Sequence, residues 1–325
     1  MREIGSEFWD IPICGKENGL FPKNTAWFLS GRSALRAIIQ DIKQRNNVAI
    51  AAIPSWCCES VIVPFLKEGL KVVFYPSFAD SAVQQEICSK ADITLAMDYF
   101  GYQSDIEFSN GIVIRDITHS FLSNIPGKAD YCFGSLRKWC GFYTGGYAFG
   151  VRGLHGTQGD YVSLRKMAMQ EKMNYIQGKT DSKEYLALFD QAEELLVSCD
   201  VVGAAQRDID AAKVLDVDRI VSRRSENAKV IMNAFDNIAV FKEVNKEMCP
   251  IFVPIRVKNR DRLRKYLIDN QIYCPIHWPL TELHRIGEKE KGIYHEELSL
   301  VCDQRYDITD MQRIITEVKR GLQLC

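Results

Sequence analysis

Between Ser33 and Arg45 the apolar positions recur with helical spacing. Leu35, Ile38, Ile39 and Ile42 fall on one side and Arg36, Gln40 and Lys43 on the other, so an amphipathic helix is expected. Short continuous apolar runs follow: Val48–Ile53, Lys71–Tyr75, Ile93–Met97, Gly111–Arg115 and Tyr131–Phe133. Runs of this length read as strands buried on both faces, and Ser60–Lys67 between the first two reads as a helix. Strands separated by helix-sized segments predict an α/β fold, a largely parallel sheet with helices on both faces. In such sheets ligands sit beyond the carboxyl ends of the strands, which is where chemistry is to be sought.

From about Gly159 to Asn237 the pattern is helical and charged. Beyond it, Ile251–Val257 reads as a strand, Arg260–Asn270 as a helix and Tyr273–Ile276 as a strand. Ile308–Leu322 is the last helix, with Asp307 or Thr309 as its cap. A chain of 325 residues exceeds one ordinary core. The expected division is a large domain over 1–240, with an N-terminal arm and the helical middle, and a small C-terminal α/β domain over 241–325.

Lysine plus arginine number 41 against 42 for aspartate plus glutamate. That balance leaves no basic surplus for a phosphate backbone and argues against nucleic acid as a partner. Met1–Asp10 has no basic stretch followed by an apolar core, and no apolar run reaches the roughly 20 residues a membrane helix needs, so a cytoplasmic location is expected. The eleven cysteines form no CxxC pair, Cys57 and Cys58 are adjacent, and Cys132 and Cys274 sit in apolar runs. Reduced, structural thiols are the expectation. The five histidines show no ligand spacing, so no metal site is expected.

Four features fall at strand ends or helix starts. At Ser30-Gly31-Arg32-Ser33 an apolar run stops and the amphipathic helix begins. The unpaired amides and positive dipole end of a helix start suit an anion, Gly31 allows close backbone approach and Arg32 adds charge, although Ser30 or Ser33 as a simple cap explains the same residues. Ile112–Arg115 leads into Asp116 at the ligand edge of the sheet, with His119 three residues on; a strand-end acid also serves as a turn or cap residue. Ser135 and Lys138 are three apart and can face the same way, a hydroxyl for an anion and an amine for a carbonyl carbon. The same SxxK occurs in serine hydrolases, but their SxN and KTG partners are missing. Trp56, after the second strand, offers a flat side chain for stacking or for the core. An anion turn, a stacking ring, a strand-end acid and an amine, in this order, are what pyridoxal phosphate (PLP) requires: a carboxylate facing its pyridine nitrogen keeps the ring protonated, and a lysine holds its aldehyde.

With these residues in place, the chain resembles the DegT/DnrJ/EryC1/StrS sugar aminotransferases of PLP fold type I. The resemblance runs through Ser30–Leu35, Pro54–Tyr75, Asp98-Tyr99-Phe100-Gly101, Arg115–Ser120 and Ala129–Gly146, and continues more weakly through Tyr273–Trp278 and Asp303–Tyr306. Its most specific part is the Asp116–Lys138 block. The resemblance implies Lys138 as the catalytic, Schiff-base lysine, Asp116 on the pyridine nitrogen, His119 on the phenolic oxygen, and Ser135 with Gly31 and Arg32 on the phosphate. It puts the ring-stacking position at Cys58 or, two residues earlier, at Trp56. Tyr99, Phe100, His277 and Trp278 are candidates for lining the acceptor side and equally for packing. The implied reaction is ping-pong transfer of an amino group, with glutamate as donor, to a keto sugar linked to a nucleotide, in a homodimer with shared active sites.

The chain departs from the family at Arg115, where glutamate is usual, and at Thr144, where an acid often precedes the paired glycines. An asparagine reaching the partner's phosphate is not located. Two further readings follow: a PLP-fold protein without turnover that binds or regulates, and a PLP enzyme of another reaction type.

Overall fold

The computed structural model describes residues 3–102, 111–123, 128–154, 156–243 and 247–324; residues 124–127 of the Asp116–Lys138 block lie outside the described residues. In chain order the elements begin with β1 (Ile4–Gly5), β2 (Ala26–Phe28), α1 (Gly31–Arg45), β3 (Ile50–Pro54), α2 (Glu59–Lys67), β4 (Lys71–Tyr75), α3 (Ser81–Cys88) and β5 (Ile93–Met97). Next come β6 (Ile112–Asp116), β7 (Tyr131–Ser135), β8 (Gly146–Phe149), α4 (Gly159–Ile176), α5 (Tyr185–Ser198), α6 (Gln206–Lys213) and α7 (Val217–Ala234). The last are β9 (Phe252–Arg256), α8 (Arg260–Asp269), β10 (Ile272–Tyr273), α9 (Glu288–Glu296), β11 (Glu297–Val301) and α10 (Ile308–Leu324). The chain divides into two compact units: Met1–Ser6 with Val48–Asp130 and Val217–Cys325, and Glu7–Asn47 with Tyr131–Asp216.

In the first unit β6, β5, β3 and β4 lie in that order, all parallel. Every residue of β5 is buried, as a strand covered on both faces requires. Met97 pairs with Asp116 in the register, so the acid closes β6 at its carboxyl end. A second core of this unit forms on the antiparallel pair β9–β11, where Val253, Ile255, Leu298 and Leu300 meet Ile231 of α7, Leu263 and Leu267 of α8, and Ile314 and Val318 of α10. Asp307 caps α10: its Oδ1 accepts the amides of Thr309 at 2.9 Å and Asp310 at 3.2 Å. The strand expected over Tyr273–Ile276 instead ends at Tyr273, as β10 paired with β1; Pro275 has no N–H to extend a ladder.

In the second unit β2, β8 and β7 form an antiparallel trio, with Phe28 and Ser135 both opposite Gly146. α1 packs on it through the face that carries Leu35, Ile38, Ile39 and Ile42, all buried. The helical middle resolves into four helices, of which α4, α5 and α6 belong to this unit and α7 to the first. α4 and α5 pack through Ala168, Met169, Tyr185 and Phe189. Among the described residues no helix is long and apolar enough to cross a membrane, and the ten described cysteines are free thiols, most of them wholly or partly buried.

Candidate active site

The Ser-Gly turn of the second unit is shaped by what its glycines exclude. Ser30 Oγ accepts the Ser33 amide at 3.2 Å and caps α1. The first intrahelical bond runs from Ala34 N to Ser30 O at 3.0 Å, so the amides of Gly31 and Arg32 precede it and have no acceptor within the helix. A Cβ on Gly146 would lie 2.1 Å from the Ser30 carbonyl oxygen, and one on Gly31 would lie 3.3 Å from Ser135 Cβ. Only glycine lets the turn settle onto the start of β8 and the end of β7, and this close approach puts Gly31 beside Ser135. Arg32 Nε is buried with no hydrogen-bond partner among the described residues.

Lys138 follows directly from β7, as the last residue of a 3-10 turn, Leu136–Lys138. The turn is held by Leu136 N bonding to Gly145 O at 2.9 Å, and its three side chains diverge. Leu136 is fully buried. Arg137 binds Tyr161 Oη and, at 2.6 Å, Glu193. Lys138 is exposed, and among the described residues it makes no hydrogen bond or ion pair. The adjoining Gly145-Gly146 loop is tied down by Thr144, whose N and Oγ1 both donate to Asp208 Oδ2 at 2.7 Å. Asp208, in α6, was not foreseen; it is 64 residues from Thr144, and no local pattern announces the pairing.

Asp116, in the first unit, is 3% exposed. Its Oδ1 accepts the Thr118 amide at 2.9 Å, and among the described residues no cation pairs with it. Burial pushes its carboxyl up to about 6, against the Thr118 hydrogen bonds and with help from Asp98. The neighbouring Arg115 does not relieve it. Its guanidinium is taken by Asp98, Nε at 3.2 Å and Nη2 at 2.6 Å, and Ser120 Oγ donates to the same carboxylate at 2.6 Å.

The same unit gathers six predicted residues into one ring cluster. Trp56, fully buried, stacks on Tyr99 at 4.9 Å and 15° and donates its indole N–H to the His277 carbonyl at 2.6 Å. Tyr99 Oη donates to the Trp56 carbonyl. His119 stacks on Trp278 at 5.7 Å and lies 5.1 Å from Phe100 and 5.4 Å from His277. Cys58 is half-buried at the start of α2, its Sγ 2.8 Å from Ser60 Oγ. The predicted residues thus form two groups, one in each unit.

Each group carries donors that fit a part of pyridoxal phosphate. Asp116 is a buried carboxylate with no paired cation among the described residues, a charge that a pyridinium would supply. Arg32 Nε, the first amides of α1 and the glycine-shaped turn suit a phosphate. Lys138 is a free amine for an aldehyde.

No protein-family model matches the sequence, and no curated protein does. Solved structures match over most of the chain. Helicobacter pylori PseC, an aminotransferase of pseudoaminic acid biosynthesis, aligns at 14% identity with a TM-score of 0.68 over 98% of this chain and 100% of its own. Spr1654 of Streptococcus pneumoniae, assigned as a sugar aminotransferase, aligns in its PLP form at 14% identity and TM-score 0.67 over 99% of each chain. DesV of S. venezuelae, solved with a ketimine intermediate, aligns at 13% identity and TM-score 0.65 over 92% of this chain and 84% of its own. At such low identity the likeness is one of architecture: this chain has the fold of the sugar aminotransferases, a mixed, mostly parallel sheet flanked by helices.

Proposed function

We propose that the chain is a PLP-dependent aminotransferase that moves an amino group from an amino acid, glutamate, to a keto sugar carried on a nucleotide. What supports this most is Lys138, an exposed amine that makes no hydrogen bond or ion pair among the described residues, placed directly after β7 in a chain with the sugar-aminotransferase fold. When bound, PLP supplies an aldehyde that carries the amino group and a protonated ring that withdraws electrons. Lys138 holds the aldehyde carbon and, once released, takes and returns the proton at the substrate α-carbon. Asp116 keeps the ring nitrogen protonated, and its raised pKa is the cost of waiting for that cation. Gly31, Arg32 and Ser135 hold the phosphate, His119 the ring oxygen, and Trp56 or Cys58 covers a ring face. Tyr99, Phe100, His277 and Trp278 line the acceptor end. The two half-reactions alternate at shared sites of a cytoplasmic homodimer, with no nucleic acid as partner, and the domains divide near residue 240.

Arg115 and Thr144, the departures that suggested a protein without turnover, are each bonded to a buried carboxylate of their own unit and leave Lys138 and Asp116 untouched. They give that reading no support.

Adding PLP to the purified protein, reducing with borohydride and mapping peptides tests the proposal. A yellow absorbance band that bleaches, with the cofactor's mass on the Lys138 peptide, is the expected result. Glutamate should then discharge the band of the unreduced protein. A label on another lysine would overturn the site, and a band that no amino acid discharges would overturn the transaminase.

A further inference from the structure

Behind the ring cluster of the first unit lies a hydrogen-bonded chain that the cofactor roles do not use. Glu297, at the start of β11, is 0% exposed. Its Oε1 is 2.5 Å from Ser299 Oγ, and Ser299 Oγ is 2.8 Å from His277 Nδ1. The other carboxyl oxygen, Oε2, accepts the His277 backbone N–H at 2.6 Å. The His277 ring itself is enclosed by Phe252 at 5.0 Å, Phe100 at 5.3 Å, and His119 and Trp278 at 5.4 Å.

Two arrangements of the hydrogens satisfy these bonds with a neutral imidazole. An ionised carboxylate can only accept, so the Ser299 hydroxyl donates to it, His277 Nδ1 carries the hydrogen that Ser299 Oγ accepts, and Nε2 carries no hydrogen. A protonated Glu297 donates to Ser299, Ser299 donates to Nδ1, and the ring hydrogen must sit on Nε2. The first arrangement becomes the second when one proton is taken up at Nε2, the Nδ1 hydrogen passes to Ser299 and the Ser299 hydrogen passes to Glu297. One proton enters, three bonds to hydrogen form and two break, and the ring ends uncharged.

We propose that Glu297 and Ser299 are positioning residues that set which nitrogen of His277 carries its hydrogen, so that His277 accepts or gives a proton at Nε2 without becoming a cation. Among four apolar or aromatic neighbours a charged imidazole would be costly, and the chain moves the charge change onto Glu297. On the aminotransferase reading, on which this use rests, His277 handles a proton at the acceptor end.

The groups facing Glu297 favour a switch near neutral pH. Burial pushes its carboxyl up to about 8, against the bonds from Ser299 and the His277 amide and the charge of Arg260. From α8, Arg260 donates to the Glu297 backbone carbonyl at 2.8 Å and pairs with Asp261 at 2.6 Å. Arg256, opposite Glu297 on β9, is paired with Glu296 at 2.7 Å. Burial pushes the Cys274 thiol up to about 12, so it stays neutral. His119 faces the imidazole rather than the carboxyl.

Ring ¹⁵N correlations of the ¹⁵N-histidine-labelled full chain, with His277→Gln for assignment, test the proposal. In the wild type the hydrogen should sit on Nε2 at the acid end of a titration across pH 8 and on Nδ1 at the alkaline end. In Glu297→Gln the amide oxygen must accept from the His277 N–H, which turns the NH₂ toward Ser299 and fixes the hydrogen on Nε2 throughout. In Ser299→Ala the swap should disappear. A wild-type ring that keeps one tautomer across the titration, or a Glu297→Gln ring that still swaps, would overturn the proposal. The measurement needs no cofactor or turnover, so its failure leaves the aminotransferase reading standing, and an unlabelled Lys138 leaves the relay standing.

Discussion

The surroundings of Asp116 and of Lys138 differ in kind. Asp116 ends a parallel strand in the apolar, ring-filled first unit, and its charge is held out of water against the hydrogen bonds of Thr118. Lys138 ends a turn beside an antiparallel strand in the second unit, where glycines shape the backbone and its own amine stands in the open. A buried carboxylate without a cation costs stability, whereas an exposed lysine costs almost nothing. The acid is therefore the residue whose presence most needs a functional explanation, and the lysine is the residue whose removal should be structurally silent.

Lys138→Ala should break function and nothing else. Turnover is expected to fall by ~10³-fold or more, since the covalent anchor and the proton carrier are one side chain. The melting temperature of the cofactor-free protein should stay within about 1 °C, as for most exposed positions. A matched loss of stability would show that Lys138 is structural.

Asp116→Asn should separate the two costs. Activity is expected to drop ~10²-fold, yet the cofactor-free protein should become more stable at pH 7.5, by roughly 3 kcal/mol, because the rise of the carboxyl from 3.8 to about 6 is removed. The sign follows from linkage. A group whose pKa is raised by folding, here from 3.8 to about 6, leaves stability intact below the lower value and loses it as pH rises through the upper one. The gain in the asparagine variant should therefore shrink as pH falls below 6 and vanish near 4. Thermal melts at the two pH values measure it, and an equal gain at both would refute burial as the cause.

On the glycine side the expected damage is steric. Gly146→Ala brings a Cβ to 2.1 Å from the Ser30 carbonyl oxygen, a backbone atom that cannot swing aside. A loss of ~2–3 kcal/mol is expected by denaturant titration, the upper part of the range for overpacking. Gly31→Ala, whose nearest contact is a side-chain carbon at 3.3 Å, should cost less than Gly146→Ala. The reverse order would mean that the turn is not set by β8.

This contrast also explains what could be read from the chain alone. Lys71–Tyr75 and Ile93–Met97 were expected as strands and are strands over those spans, because a buried parallel strand is a continuous apolar run between polar breaks. Asp116 was legible for the same reason: it stops such a run. β8 was not foreseen, since Gly146–Phe149 opens on a glycine whose value lies in a distant carbonyl. β11 was not foreseen either, because Glu297 and Ser299 look like surface residues until the fold closes over them. The partners of Thr144 and Arg115 lie far off along the chain, and pairings of that kind leave no local trace.

The smallest effect belongs to Trp56→Phe. Phenylalanine keeps a flat ring against Tyr99 but removes the indole N–H, leaving the His277 carbonyl without its 2.6 Å donor. An acceptor stripped of its partner in a buried setting costs ~1–2 kcal/mol, and the smaller ring adds a little lost packing. Because a ring remains, cofactor affinity should weaken by no more than about 5-fold, worth roughly 1 kcal/mol. Fluorescence-monitored unfolding and cofactor titration read the two quantities separately. If affinity falls far more than stability, the indole faces the cofactor directly. If Cys58→Ala has the larger effect on affinity, the stacking position lies two residues further along and Trp56 belongs to the ring cluster alone.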